Sequence, residues 1–67
     1  MVSDLDIYRS AKLLIGRYGP QASVHAAMEA DRLLAEGDMA GKRTWVRIMW
    51  AIEELERIEP APGERAH

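Results

Sequence analysis

A histidine and a glutamate four residues apart form the first pair of side chains that could do chemistry. His25 and Glu29 would lie on one face of a helix, where both could reach a single metal ion. A metal site needs three or four ligands, and the chain has two histidines and no cysteine. We therefore expect no metal, and we interpret the pair as part of an exposed polar stripe.

A basic cluster beside the two tryptophans is the second candidate. Lys42, Arg43 and Arg47 surround Trp45 and precede Trp50, and such a patch could hold a phosphate or stack on a base. The segment could also be the second helix of a helix-turn-helix, because a helical pattern and a glycine-containing turn precede it. Only three charges cluster, and the net charge of −2 opposes nucleic acid. A regulator that binds nucleic acid through Arg43, Arg47 and Trp50 is the alternative function.

Four acidic residues near the end of the chain could suggest acid–base catalysis. Glu53, Glu54, Glu56 and Glu59 fall on an open helix end, without a pattern that predicts a pocket. The sequence has no nucleophile triad, glycine-rich phosphate loop or cofactor motif. We expect no enzymatic activity and no cofactor, although a role as an accessory subunit of a larger complex stays open.

Length and composition favour a small helical domain that associates with something. A chain of 67 residues buries a small core, and it has no cysteine to form a disulfide. Helix packing and self-association are the remaining sources of stability. No run approaches the roughly 20 apolar residues that span a bilayer, so no membrane partner is expected. Acids stand near the N-terminus where a signal peptide has bases, which predicts a cytoplasmic protein.

Three helices are predicted over 3–19, 20–37 and 38–59, so that 1–59 forms one all-α domain and 60–67 a disordered tail. The boundary signals combine N-caps, glycines expected to adopt positive φ, and prolines. They are, in chain order, Ser3, Gly19, Pro20, Gly37, Asp38 and Pro60.

Apolar residues at helical spacing predict the core. The stripe of helix 3 comprises Trp45, Ile48, Met49, Ile52 and Leu55. Its expected neighbours on the other helices are Tyr8, Leu14, Ile15, Ala26, Ala30 and Leu33. The alanine-rich face of helix 2 favours close helix contact. We expect helices 1 and 2 to form an antiparallel pair, with helix 3 laid across both.

A second apolar arc on helix 3 predicts a homodimer. Met39, Val46 and Trp50 lie about 100–140° from the core stripe at 100° per residue. Bases precede acids along the helix, which opposes the helix dipole but becomes favourable against an antiparallel copy. The predicted interface comprises Met39, Arg43, Val46, Arg47, Trp50, Glu53, Glu54 and Arg57. The preferred function is thus a self-associating protein–protein interaction module; alternatively, helix 1 covers the second arc.

The chain also resembles a family of short bacterial hypothetical proteins, mostly alphaproteobacterial. The resemblance is carried by DLDIYRSAKLLI, by HAAMEADRLLAEGDMAG and by WVRIMWAIEEL, and it covers about residues 4–56. Its most specific part is A-D-x-L-L-x-x-G-D-x-x-G-x-x-x-W at Ala30–Trp45. The resemblance implies a bacterial, cytoplasmic protein and implies nothing about catalysis.

Overall fold

The structure, a computed structural model, describes residues 2–58 and is all-helical over that range. Its α-helices are α1 (Asp4–Tyr18), α2 (Ala22–Ala35) and α3 (Met39–Ile58), and a 3-10 turn at Gly19–Gln21 joins the first two. The predicted all-α class is confirmed for these residues. Among the described helices, none is long and apolar enough to cross a bilayer. The predicted tail, 60–67, lies outside the described residues.

The link between α2 and α3 is a glycine-terminated cap followed at once by a new N-cap. Gly37 has φ 82°, and its N–H donates to the Leu34 carbonyl at 3.0 Å while the Asp38 N–H donates to Leu33 at 2.9 Å. This pair of bonds is the Schellman arrangement. Asp38 Oδ1 then accepts from the Gly41 N–H at 2.8 Å and starts α3. Both predicted boundary roles, for Gly37 and Asp38, are confirmed.

The corner between α1 and α2 differs slightly from the prediction. Helix α1 is capped as expected, because the Ser3 Oγ accepts from the Asp6 N–H at 3.2 Å. Gly19 has φ 57° and ψ −129°, a conformation that favours glycine. Pro20 does not start α2. It lies in the 3-10 turn, which the bond from the Ala22 N–H to the Gly19 carbonyl closes, so α2 begins two residues late.

Helix α3 is the element on which the other two pack. Asp4 contacts Arg47 and Tyr8 contacts Glu54, so α1 runs in the same direction as α3. The tight link at 36–38 turns α3 back along α2. Helices α1 and α2 therefore run in opposite directions, as predicted. They contact each other least, however, because the apolar surface of both faces α3.

The core is small and rich in alanine. Its fully or nearly fully buried members are Ile7, Ala11, Ala22, Ala26, Ala30, Ile48, Ala51 and Ile52. The half-buried residues packed against them are Leu14, Ile15, Tyr18, Trp45, Met49 and Leu55. The burial of Ile48, Ile52 and Ala26 agrees with the predicted stripe. Ile52 is the one large side chain among the described residues that is completely buried.

Two core assignments are corrected by the structure. Tyr8, predicted to be buried, is 37% exposed, and Ile7 takes the inward position on α1. The sequence reasoning missed Ala51, which is buried because α1 crosses α3 beside it. Both differences follow from where α1 meets α3, because that contact decides which side of each helix faces inward. Trp45 and Leu55 keep their place in the predicted stripe, but they are half-buried rather than enclosed.

Replacement of Gly37 by alanine tests the glycine cap. Nothing lies within 4 Å of a Cβ placed there, so the cost comes from the positive φ alone. We expect Gly37→Ala to lower the free energy of unfolding by about 1–2 kcal/mol. Gly16→Ala is the matched control, since Gly16 lies within α1 and is equally open. It should stabilise the fold by about 0.5–1 kcal/mol. Thermal unfolding of both variants measures the effects, and equal shifts would contradict the prediction.

Truncation of Ile52 tests the core. We expect Ile52→Ala to destabilise the protein by about 2–5 kcal/mol, because the cavity is created where the helices meet. Leu13→Ala is the control, since Leu13 is 75% exposed on the outer side of α1. It should change the free energy of unfolding by less than about 0.5 kcal/mol. Urea unfolding followed by circular dichroism measures both, and a similar small effect of the two variants would show that Ile52 is not central.

Candidate functional site

One side of α3 is left uncovered by α1 and α2 within residues 2–58. At 100° per residue its members fall in a single stripe about 80° wide. We call this stripe the open face of α3, and it consists of Met39, Arg43, Val46, Trp50, Glu53 and Arg57. Trp50 is 61% exposed and Met39 is 50% exposed, whereas Val46 is half-buried. The three charged members are exposed.

The other two residues of the predicted interface turn toward α1. Arg47 Nη2 pairs with Asp4 Oδ1 at 2.6 Å, and its Nη1 donates to the Val2 carbonyl at 3.4 Å. The Tyr8 hydroxyl donates to Glu54 Oε2 at 2.9 Å. Helix α1 therefore covers one edge of the second apolar arc, as the alternative interpretation proposed. It stops short of Trp50, whose ring stays at the rim.

A shallow groove of about 250 Å³ lies between α1 and α3. Its lining residues are Asp4, Ile7, Tyr8, Arg47, Trp50, Ala51 and Glu54. Small-molecule pockets usually have about 300–1,000 Å³ and enclose most of the ligand. The polar groups of this groove already bind one another in two pairs, Asp4 with Arg47 and Tyr8 with Glu54. The groove thus has neither the size nor the free polar groups typical of a small-molecule site.

The hydrogen bond between Tyr8 and Glu54 changes the acidity of the phenol. The bond to Glu54 raises the pKa of Tyr8 above its ordinary value of 10.0, and partial desolvation and the Glu54 and Asp4 charges act in the same direction. A raised pKa in the folded state means that folding favours the protonated phenol. The stabilisation from this bond is fully present below pH 10, and it is lost as the pH rises through the raised value.

His25 and Glu29 both have other partners. The His25 ring stacks on Tyr18, with ring centroids 3.7 Å apart and an interplanar angle of 18°. Glu29 Oε1 accepts from Arg32 Nη2 at 2.9 Å, and this contact lowers the pKa of Glu29. Within the described part of the chain, no group of three or more potential ligands could hold a metal ion. The stack instead joins the end of α1 to the first turns of α2.

The basic cluster considered for nucleic acid is divided by the structure. Arg47 is neutralised by Asp4, and Arg43 lies on the open face in the same stripe as Glu53. Lys42 is half-buried at the edge of that stripe. A phosphate-binding surface gains its affinity from several cations that act together. The three cations therefore do not present one joint basic surface, as binding to a phosphate backbone requires.

Replacement of Glu54 by glutamine tests the contact between α1 and α3. We expect Glu54→Gln to lower the pKa of Tyr8 toward 10.0, because the charged acceptor is removed while the shape is kept. Titration of the tyrosine Cζ carbons by NMR reports the value directly. Glu56→Gln is the control, since Glu56 is exposed elsewhere on α3. An identical Tyr8 titration in the parent and in Glu54→Gln would contradict the contact.

Comparison of the chain with protein-family models, with curated proteins and with solved structures returns no match. The resemblance to short bacterial proteins therefore stays a prediction. The inference about function depends on the open face of α3 and on the paired groups around it.

Proposed function

We propose that this chain is a protein–protein interaction module that self-associates through the open face of α3, and that it binds rather than catalyses. The observation that carries the proposal is the 61% exposure of Trp50 at the middle of this face. Met39 and Val46 extend the apolar surface along the helix toward its N-terminus. Exposed aromatic residues surrounded by charged residues are typical of interface centres.

The energy available from burying this tryptophan is large for so small a protein. A tryptophan side chain can bury up to about 250 Å², so 61% exposure leaves about 150 Å² in water. At about 25 cal/mol per Å², burial of that area contributes about 4 kcal/mol in each subunit. Domains are commonly stable by only about 5–15 kcal/mol. An interface at Trp50 would therefore add substantially to the stability of the fold.

The composition of the core gives self-association a second support. Eight apolar residues are buried among those described, and five of them are alanines. Alanine contributes little apolar area per residue, so the helices gain less from burial than they would with larger side chains. Small domains without disulfides or metals commonly gain stability from oligomerisation. A second copy on α3 would enlarge the core without changing the fold of the subunit.

The charge order along α3 favours an antiparallel copy. Lys42 and Arg43 lie toward the N-terminal end of α3, and Glu53 and Glu56 lie toward its C-terminal end. This order opposes the helix dipole in one subunit. It brings basic halves against acidic halves when two copies run in opposite directions. A two-fold dimer has that arrangement, because the same surface contributes from both sides.

Nucleic-acid binding is the weaker proposal on this geometry, since Asp4 already pairs with Arg47. If this chain is instead a subunit of a larger assembly, a different protein would dock on the open face. The mass measured in solution distinguishes that assembly from a homodimer. The bacterial and cytoplasmic setting stays a prediction from the sequence.

Replacement of Trp50 by glutamate tests the proposed interface. We expect the parent to sediment as a dimer of its 7.5 kDa chain at micromolar concentration. Trp50→Glu should weaken the dimer by at least about 100-fold, because it removes the buried ring and introduces charge at the centre of the contact. Leu13→Glu introduces the same acid at an exposed apolar site on α1 and should leave the dimer intact. Sedimentation equilibrium measures all three proteins.

Two results would contradict this proposal. A parent that remains monomeric at several hundred micromolar ends it. Equal dimerisation of the parent and Trp50→Glu would place the interface on another surface. Circular dichroism of Trp50→Glu verifies that any loss of the dimer is not a loss of the fold.

A further inference from the structure

We infer that two copies pack α3 against α3 in a single antiparallel register, with the two-fold axis on the open face midway between Val46 and Trp50. In this register Val46 lies against the partner's Trp50, and Arg43 lies against the partner's Glu53. The inference rests on the proposed self-association and adds the identity of the contacting pairs. It uses the spacing, charge and exposure of the open face.

The spacing of the open face is that of a helix–helix seam. Its six members, at positions 39, 43, 46, 50, 53 and 57, are separated alternately by four and three residues. This is the heptad spacing that lets side chains of one helix insert between those of another. The pattern is sustained over nearly the whole length of α3, Met39–Ile58. Of its six members, Val46 is half-buried and the other five are exposed within the described residues.

The types of residue at these positions select the register. A two-fold axis midway between Val46 and Trp50 pairs position 46 with 50, 43 with 53 and 39 with 57. At the centre, Val46 of each copy lies against Trp50 of the other, so this apolar pair occurs twice. The pairs of opposite charge, Arg43 with the partner's Glu53, lie on either side of the centre. At each end, the aliphatic stem of Arg57 covers the partner's Met39. All six positions have a partner.

Registers shifted by one heptad fit less well. A shift toward the N-terminus pairs Arg43 with the partner's Val46 and leaves Glu53 without a basic partner. A shift toward the C-terminus places Trp50 against the partner's Glu53. Both shorten the overlap, and both place a charge against an apolar side chain. The register centred between Val46 and Trp50 has the longest overlap, and it places a charged residue against an apolar one only at its ends, where the aliphatic stem of Arg57 covers the partner's Met39.

The edges of the seam agree with the same register. On one edge, Lys42 comes level with the partner's Glu56, which gives a further pair of opposite charges. On the other edge, the two Arg47 side chains come close across the axis. Each is already bound by Asp4 of its own subunit at 2.6 Å, which offsets the like charge. The Asp4–Arg47 ion pair within each subunit thus makes this edge compatible with the approach of a second copy.

Charge reversal tests the pairing of Arg43 with the partner's Glu53. Arg43→Glu and Glu53→Arg should each weaken the dimer by about 10-fold or more, because each creates two like-charge pairs. The double variant, Arg43→Glu with Glu53→Arg, restores opposite charges and should regain most of the lost affinity. Sedimentation equilibrium gives the dissociation constants. A double variant as weak as the singles, or singles as tight as the parent, would overturn the register.

A distance measurement tests the direction independently. The chain has no cysteine, so Ile58→Cys can carry a single spin label at an exposed position off the open face. In the inferred register the two labelled positions lie 20 residues apart along the seam, which is about 30 Å at about 1.5 Å per residue. A parallel dimer would hold the labels within about 20 Å. Pulsed electron resonance therefore separates the two arrangements.

The outcomes distinguish this inference from the proposed function. A parent that never dimerises overturns both. A parent dimer that loses stability in Trp50→Glu but shows a short label distance, or no response to charge reversal, overturns the register alone. A long distance together with rescue by the double variant supports the pairing as stated.

Discussion

Close contact between α2 and α3 is the constraint on which the rest of the structure depends. The buried face of α2 consists of Ala22, Ala26 and Ala30, and these small side chains let α3 approach until Ile52 is completely enclosed. The short link between α2 and α3 also keeps these two helices close together. A Cβ on Gly41 would lie 2.6 Å from the Asp38 carboxylate and 3.1 Å from Leu33, so glycine keeps the first turn of α3 against α2.

Helix α1 is held to this hairpin by a smaller set of contacts. Ile7 and Ala11 bury against α3, and Ala51 provides the small surface on which they fit. The polar contacts at the edge, Asp4 with Arg47 and Tyr8 with Glu54, are exposed and orient α1 more than they stabilise it. Because α1 crosses α3 beside Ala51, it covers the edge of the second apolar arc and leaves Trp50 in water.

The same geometry explains why a binding surface is the best-supported function. The side chains considered for a metal are engaged locally: Glu29 with Arg32, and His25 with Tyr18. The groove between α1 and α3 is open and its charged groups are paired. The open face of α3 is different, because Trp50 at its centre is 61% exposed within the described residues. An alanine-rich core and an exposed tryptophan are the two features that support the proposed self-association.

The sequence by itself determined the helices, the inward direction of α3 and most of the helix ends, but not the 3-10 turn at Gly19–Gln21 that delays the start of α2. Ser3, Gly37 and Asp38 form local hydrogen bonds within a few residues, and the periodicity that placed Ile48 and Ile52 inside is likewise local. Only the tertiary structure decided that Ile7 rather than Tyr8 faces inward, that Ala51 is buried, and that Arg47 and Glu54 bind α1. The contact of Asp4 with Arg47 joins residues that are 43 positions apart in the chain, and the contact of Tyr8 with Glu54 joins residues that are 46 positions apart. They depend on where α1 crosses α3, and helical periodicity alone does not define that point. Successive residues of a helix point about 100° apart, so a crossing shifted by one residue brings a different side chain inward.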